Sequence, residues 1–397
     1  MKKSNYIYLW ALLPAALFFN SVLTNAKNVP ILDDYNAILD FVYRFKGLGL
    51  KDKFIALFQQ HNEHRIFLSR VVYVTYYQLF GEINFRNLIF IADLQLIPVA
   101  LIGIYFIQYY LVMYRNIAAL IWCLCVFDLN SYEAATWAMC GMQAYGVIML
   151  FFISLFCYHK DRFWLGAIAQ AICIFSSGNG ILAGIVLTVF SLRKSKSAIL
   201  ISVMTNIICI VLYILTYVKP VRPDYTFDLT KAIDYFIQMT GAHLSFHDSF
   251  IFGAVILAAL ILFIPWKVIT VSPSAWAMTC ILLFCFGSML TITMFRSQQP
   301  DAQFQTSRYL IYPQIISAVT AATVIRHFWR LKFWVVLGTL LVCIHVYVCN
   351  YRFGEKGVER THDRCETYRY WYPDPVKAEA MLSNACNAGI YCLDDER

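Results

Sequence analysis

The sequence predicts an all-α polytopic membrane protein with about eleven transmembrane helices, interfacial helices in a long first external loop, and an external C-terminal tail. Three observations predict it. Of 397 residues, 60% are hydrophobic and 14% charged, against roughly a quarter charged in soluble chains. The apolar residues come in blocks of about 17 to 25, the length that crosses a hydrocarbon layer as a helix. The basic residues sit in short clusters between those blocks, so the net charge of +8 reads as a topology signal and argues against a nucleic-acid partner.

The first span, 6–24, follows Lys2 and Lys3. It is longer than the apolar region of a signal peptide and is read as uncleaved, with the N-terminus inside. Region 25–86 follows as an external amphipathic loop. The multi-span region 87–351 holds apolar blocks at 87–112, 117–129, 134–158, 163–176, 181–192, 198–218, 250–266, 276–295, 309–328 and 333–351. Threading them places Arg115, 159–162, 193–196, Lys267 and 326–332 inside, in agreement with the positive-inside bias. It leaves outside 25–86, the Ser131-Tyr132-Glu133 turn, 219–249, 296–308 and the tail 352–397.

Two segments read either way. Segment 66–80 is apolar but carries Arg70, Tyr73, Tyr76, Tyr77 and Gln78, and a crossing there would invert every later loop, so it is expected to lie in the interface. Block 163–192 is too long for one span and is broken by Ser176-Ser177-Gly178-Asn179-Gly180. With both flanks inside, its halves form a re-entrant pair or a plain helical hairpin.

Ten of the 13 cysteines fall in or beside apolar spans, where a thiol is a small buried hydrophobe. Cys365, Cys386 and Cys392 lie in the polar tail, where an oxidising compartment would let one pair bridge.

Polar groups gather on the outside. Asp33-Asp34, just after the first span, is a pair able to take a proton from a hydroxyl or hold a divalent cation such as Mg or Mn. The alternative is an N-cap for the helix that follows. The run Gln60-His61-Asn62-Glu63-His64-Arg65 supplies donors, a carboxylate and a base suited to a sugar or an anion. Asp93 lies about six residues into its span, roughly 9 Å deep, where an ionisable group faces a cavity or a partner; Arg86 is the nearby partner. Arg308, in Ser307-Arg308-Tyr309 at the start of a span, suits a lipid phosphate through its planar fork. The loop 219–249 and Trp371 of the tail add aromatics suited to stacking on a saccharide.

Together these features resemble the polytopic glycosyltransferases of the GT-C fold, which carry an acidic motif just after the first span and use lipid-phosphate sugars. Asp33-Asp34 matches that motif by position; 61–65, Ser131-Tyr132-Glu133 with Trp137, and Ser307-Arg308-Tyr309 resemble runs in bacterial members. The external first loop, the broken segment and the external tail are similar to the serotype-converting O-antigen glucosyltransferases.

The resemblance implies a bacterial inner-membrane enzyme with a periplasmic C-terminus. It would move a hexose such as glucose from a polyprenyl-phosphate donor to a saccharide acceptor such as O-antigen of lipopolysaccharide. Asp33 or Asp34 would act as base, with Glu63 or Asp93 as alternatives. Arg308 and Arg65 would hold the phosphate, and His61, Glu63, His64, Asp93, Glu133 and Tyr309 would contact substrate. An O-antigen polymerase or ligase is the second enzyme reading, and a lipid-linked glycan transporter or flippase the reading from another class.

Overall fold

The computed structural model describes residues 6–219, 226–263, 272–299, 304, 306–328, 332–367 and 371–393. Lys2, Lys3, Lys267 and part of the 296–308 loop lie outside the described residues. Helix α1 (Tyr6–Asn25) leads into the first loop. That loop contains a π-helical segment (Tyr35–Asp40) continuing as α2 (Phe41–Lys46), then α3 (Leu50–Phe58), the antiparallel strands β1 (Gln60–His61) and β2 (His64–Arg65), and α4 (Phe67–Phe80). The bundle continues with α5 (Phe85–Leu94), α6 (Leu96–Tyr110), α7 (Arg115–Val126), α8 (Tyr132–Thr136), α9 (Ala138–His159), α10 (Phe163–Ile174), α11 (Gly180–Ser191) and α12 (Lys196–Leu215). It ends with α13 (Leu229–Gly241), α14 (Ser249–Phe263), α15 (Pro273–Arg296), α16 (Ile311–His327), α17 (Lys332–Thr367) and α18 (Pro375–Asn387).

The chain is an all-α polytopic membrane protein. Among the described residues, Phe85–Tyr110, Val112–Thr136, Ala138–His159, Lys196–Leu215, Pro273–Arg296 and Phe333–Cys365 are long and apolar enough to cross a membrane. Shorter apolar helices run over Trp10–Asn25, Phe163–Ile174, Gly180–Ser191 and Ser249–Leu262. Helices are the form in which such blocks satisfy their own backbone away from water.

Helix α9 lies at the centre, with Tyr145, Phe151, Phe152 and Tyr158 fully buried. Phe151 stacks on Phe284 of α15 at 4.3 Å. Helices α10, α11 and α12 are joined by side-chain amides, the polar contacts that hold spans together where apolar surface gives no preference for a neighbour over lipid. Tyr158 Oη donates to Gln170 at 2.8 Å, Gln170 Nε2 to Asn206 at 2.9 Å, and Asn206 Nδ2 to the Gly184 carbonyl at 2.9 Å.

Several of the basic clusters meet at one end of the bundle. There Lys194 Nζ donates to the His159 carbonyl (2.8 Å) and Asp161 (3.0 Å), and Arg326 donates to the Tyr110 carbonyl (2.9 Å). The first loop and the tail meet at the other end, called here the site end. The Leu32 N–H donates to the Trp371 carbonyl at 2.9 Å, Asn36 to Tyr372 Oη at 2.7 Å, the Ile83 N–H to the Ile390 carbonyl at 2.7 Å, and Tyr391 Oη to the Asn28 carbonyl at 2.7 Å.

Helices α10 and α11 have 12 residues each, so each rises only about 18 Å against a hydrocarbon core of roughly 30 Å. Their connecting turn is covered by the first loop. The Phe67 N–H donates to the Phe175 carbonyl at 2.9 Å, and Ser176 and Ser177 are buried.

Helix α17 runs unbroken for 36 residues, because the stretch after 351 keeps helix formers and finds a packing face. Its Gly354 and Gly357 lie so close to Leu129 and Tyr132 that an added Cβ would fall 2.2 Å and 2.6 Å from them. Of the tail cysteines, Cys386 and Cys392 form the disulfide, and Cys365 is buried outside that bridge.

Candidate active site

The two adjacent acids are placed differently. Leu32 takes a left-handed conformation, φ 46°, and the chain then turns Asp34 inward to 1% exposure while Asp33 stays half-buried. Asp34 is not the side-chain cap of its own helix. Its Oδ2 accepts from the Ile31 N–H at 3.0 Å and its Oδ1 from the Met139 N–H at 2.8 Å. Met139 is in the first turn of α9, where N–H groups have no partner within the helix. Asp34 therefore caps a spanning helix 105 positions away, and Trp137, extended at φ −126°, brings α9 to it. Burial pushes the Asp34 carboxyl up to about 8, the backbone N–H groups of Ile31 and Met139 pull against that rise, and the charge of Asp33 adds to it.

The hairpin β1–β2 carries the histidine run. Asn62, at φ 48°, makes its turn, and His61 pairs with His64 across it. Arg65, expected at a phosphate, spends its guanidinium on the protein's own acceptors: the Phe58 carbonyl, the Tyr213 carbonyl at 3.1 Å and Thr216 Oγ1 at 2.6 Å. Arg70 ties the same segment to the Ala56 carbonyl at 2.9 Å and to the Gln59 carbonyl. The hairpin is thus pinned to the end of α12. Burial lowers the His61 imidazole, with Arg70 and His64 lowering it further and Asp33 and Glu63 opposing. His64 lies against the α10–α11 turn so tightly that a Cβ on Gly178 would fall 2.5 Å from its Nδ1.

Arg308 stands in the turn Ser307–Tyr309 that precedes α16. Its N–H donates to Glu133 Oε2 at 3.2 Å and its guanidinium lies 4.0 Å from the same oxygen. Ser307 Oγ locks the pair by accepting from the Glu133 N–H at 3.1 Å and donating to the Asn130 carbonyl at 2.7 Å. The guanidinium faces the rings of Trp137 (5.8 Å) and Tyr309 (5.3 Å). Burial works against its charge, and Tyr309, Cys140 and Glu133 outweigh burial and raise it. These residues meet at the first turn of α9, which holds Cys140: Asp34 caps it at Met139, and the Arg308 guanidinium lies 5.8 Å from the ring of Trp137, which precedes it.

Asp93 lies apart from this group. It is fully buried and neither carboxylate oxygen has a hydrogen-bond partner among the described residues. Arg86, its expected partner, instead donates to the Leu23 carbonyl at 2.7 Å at the end of α1, because the long side chain reaches the helix terminus more easily than the bundle interior.

A further buried cluster escapes the sequence reading. Asp128 Oδ2 accepts from His243 Nε2 at 3.2 Å and Asn350 Nδ2 at 3.0 Å, its Oδ1 accepts from the Asn130 N–H at 2.8 Å, and Asn350 also donates to the His243 carbonyl at 2.9 Å. The one available signal was an acid at the end of an apolar block, five residues before Glu133.

Both oxygens of Asp34 accept from backbone N–H groups, and no group of three or more His, Cys, Asp or Glu among the described residues is arranged to hold a metal ion.

No protein-family model matches the chain, and no curated protein does. A search of solved structures finds the crystal structure of ArnT from Cupriavidus metallidurans in the apo state, with a TM-score of 0.48 and 12% identity, covering 96% of this chain and 75% of that one.

Proposed function

We propose that the protein is a membrane glycosyltransferase that moves a sugar from a polyprenyl-phosphate donor to a saccharide acceptor at the site end of the bundle. The observation that carries the reading is that the acid pair of the first loop and Arg308, from the turn before α16, meet at the start of α9: Asp34 caps Met139 and the Arg308 guanidinium lies 5.8 Å from the Trp137 ring. An acid and a guanidinium held at one place are what a displacement at an anomeric carbon requires. The acceptor hydroxyl loses its proton to Asp33. Its oxygen bonds to the anomeric carbon as the bond from that carbon to the phosphate oxygen breaks, and Arg308 stabilises the charge left on the phosphate. One displacement without a covalent enzyme intermediate inverts the anomeric configuration.

Asp34 holds Asp33 in place through its cap on α9, and Glu133 aims Arg308. His61, Glu63, His64 and Tyr309 would contact sugar. Arg65 serves as the tie of the hairpin, and Asp93 lies outside the reacting group. In the finer reading the donor sugar is a hexose such as glucose, the acceptor an O-antigen, and the site end faces the periplasm of a bacterial inner membrane.

The test is transfer by purified protein in lipid vesicles, supplied with polyprenyl-phosphate hexoses and lipopolysaccharide, with the glycan product read by mass spectrometry. Asp33→Asn and Arg308→Ala are each expected to reduce transfer at least a hundredfold in protein that unfolds like wild type. Full transfer by folded Asp33→Asn would remove the proposed base, and no transfer to any glycan by wild type would remove the reading.

A further inference from the structure

A cavity of about 430 Å³ lies between α7, α14, α16 and α17, away from the residues placed around Cys140. On α16 its wall is formed by residues 317, 320, 321 and 324, and on α17 by residues spaced at three and four from 335 to 347. Each helix therefore turns one continuous stripe toward it. The twelve rises from Val335 to Tyr347 make the groove about 18 Å long, more than half of a hydrocarbon core of roughly 30 Å. Gly338 opens it in the middle, where an added Cβ would meet nothing within 4 Å.

The site end of the groove is polar. Asp128 and His243 close it, and His243 is 3% exposed with its Nδ1 lacking any hydrogen-bond partner among the described residues. Ser317 Oγ, also in the wall, is buried and lacks one too. A buried polar atom left unmet costs about 1 to 3 kcal/mol, so a purely hydrocarbon filling would leave a penalty that a ligand with an oxygen at this end removes. At the roughly 30 Å³ that a small unit occupies in a liquid, the volume admits on the order of 14 methylenes, a single acyl chain.

We infer that the groove is a binding site for a glycerophospholipid of the leaflet at the site end, with one acyl chain between α16 and α17 and a glycerol or ester oxygen at His243 Nδ1. Two of its walls, α7 and α17, belong to segments long and apolar enough to cross a membrane, so lipid is the medium beside it, and the orphan imidazole fixes which end of the lipid lies at Asp128. Arg308 and Glu133 do not line it, which makes this lipid a ligand distinct from the sugar donor, and the inference stands independently of the proposed transfer reaction.

The experiment uses the full chain in vesicles of phosphatidylethanolamine and phosphatidylglycerol. These are doped with a phosphatidylcholine carrying a photoactivatable diazirine at mid-chain, and adducts are mapped by peptide mass spectrometry. Labelling of 317–324 and 335–347 is expected at five times or more the density on the exposed stripe of α12 that contains Ile207, Ile208 and Val211. Gly338→Leu, which fills open space and so spares the fold, is expected to cut the groove labelling at least fivefold and leave α12 labelling and thermal unfolding unchanged. Thr339→Leu, also in the wall, is expected to act in the same direction. Equal labelling of groove and α12, or groove labelling that survives Gly338→Leu, overturns the site. Loss of the label on adding equimolar polyprenyl phosphate overturns the phospholipid in favour of an isoprenoid.

Discussion

Replacing Asp34 should damage the fold and replacing Asp33 should damage only the chemistry, although the two acids are neighbours. Asp34→Ala removes the acceptors of two buried N–H groups, Ile31 and Met139. Each orphaned donor costs about 1 to 3 kcal/mol, so the loss should be about 2 to 6 kcal/mol, a large share of ordinary protein stability. Asp34→Asn keeps one carbonyl oxygen and should lose about half as much. Asp33 is half-buried, so Asp33→Ala should stay within about 0.5 kcal/mol of wild type. The assay is unfolding of purified protein in mixed detergent micelles at pH 6, followed by circular dichroism and by alkylation of buried cysteines. Alkylation adds local detail, because Cys140 lies in the helix turn that Asp34 caps and should become reactive first. An Asp34→Ala protein as stable as wild type would refute the cap, and equal destabilisation by Asp33→Ala would refute the division of labour.

Further outcomes follow from the same contacts. Folded Asp34 holds its proton up to about 8, whereas an unfolded carboxyl loses it near 3.9. Its contribution is therefore greatest below pH 4 and is lost as pH rises toward 8, with a slope of at most about 1.4 kcal/mol per pH unit; the slope should shrink in Asp34→Asn when unfolding is measured from pH 5 to 9. Arg65→Lys keeps the charge but loses the fork that reaches three acceptors, so proteolysis within 59–66 should speed up several-fold. Gly178→Ala should displace His64 and cost about 1 to 3 kcal/mol by overpacking, read as a lower unfolding midpoint. Asp128→Ala should cost about 3 to 5 kcal/mol, since it strips acceptors from His243, Asn350 and the Asn130 N–H at once.

The all-α polytopic fold was legible in the sequence because it is a local property: apolar blocks mark the helices, and short basic clusters separate them. What local pattern cannot encode is which distant group a side chain meets. Asp34 and Met139 are 105 positions apart, and Asp128 and Asn350 are 222 apart, so neither the cap on α9 nor the Asp128 cluster has a periodic trace. Arg65 shows the converse: its chemistry suits a phosphate, but three acceptors of the chain itself reach it first. The packing of α17 on Leu129 and Tyr132 is likewise a meeting of distant positions without a periodic trace.

Helix α17 has a mechanical consequence. At 36 residues it is about 54 Å long, so it stands some 24 Å proud of a hydrocarbon core of roughly 30 Å and carries the tail that grips Leu32. It acts as a rigid mast. Adding or removing residues there turns its far end by about 100° each. Only changes near seven residues, two whole turns, return Thr367 to the same bearing, and each such step shifts it by about 10 Å along the axis. The reach of the polar end of α17 beyond the lipid is therefore set in whole turns.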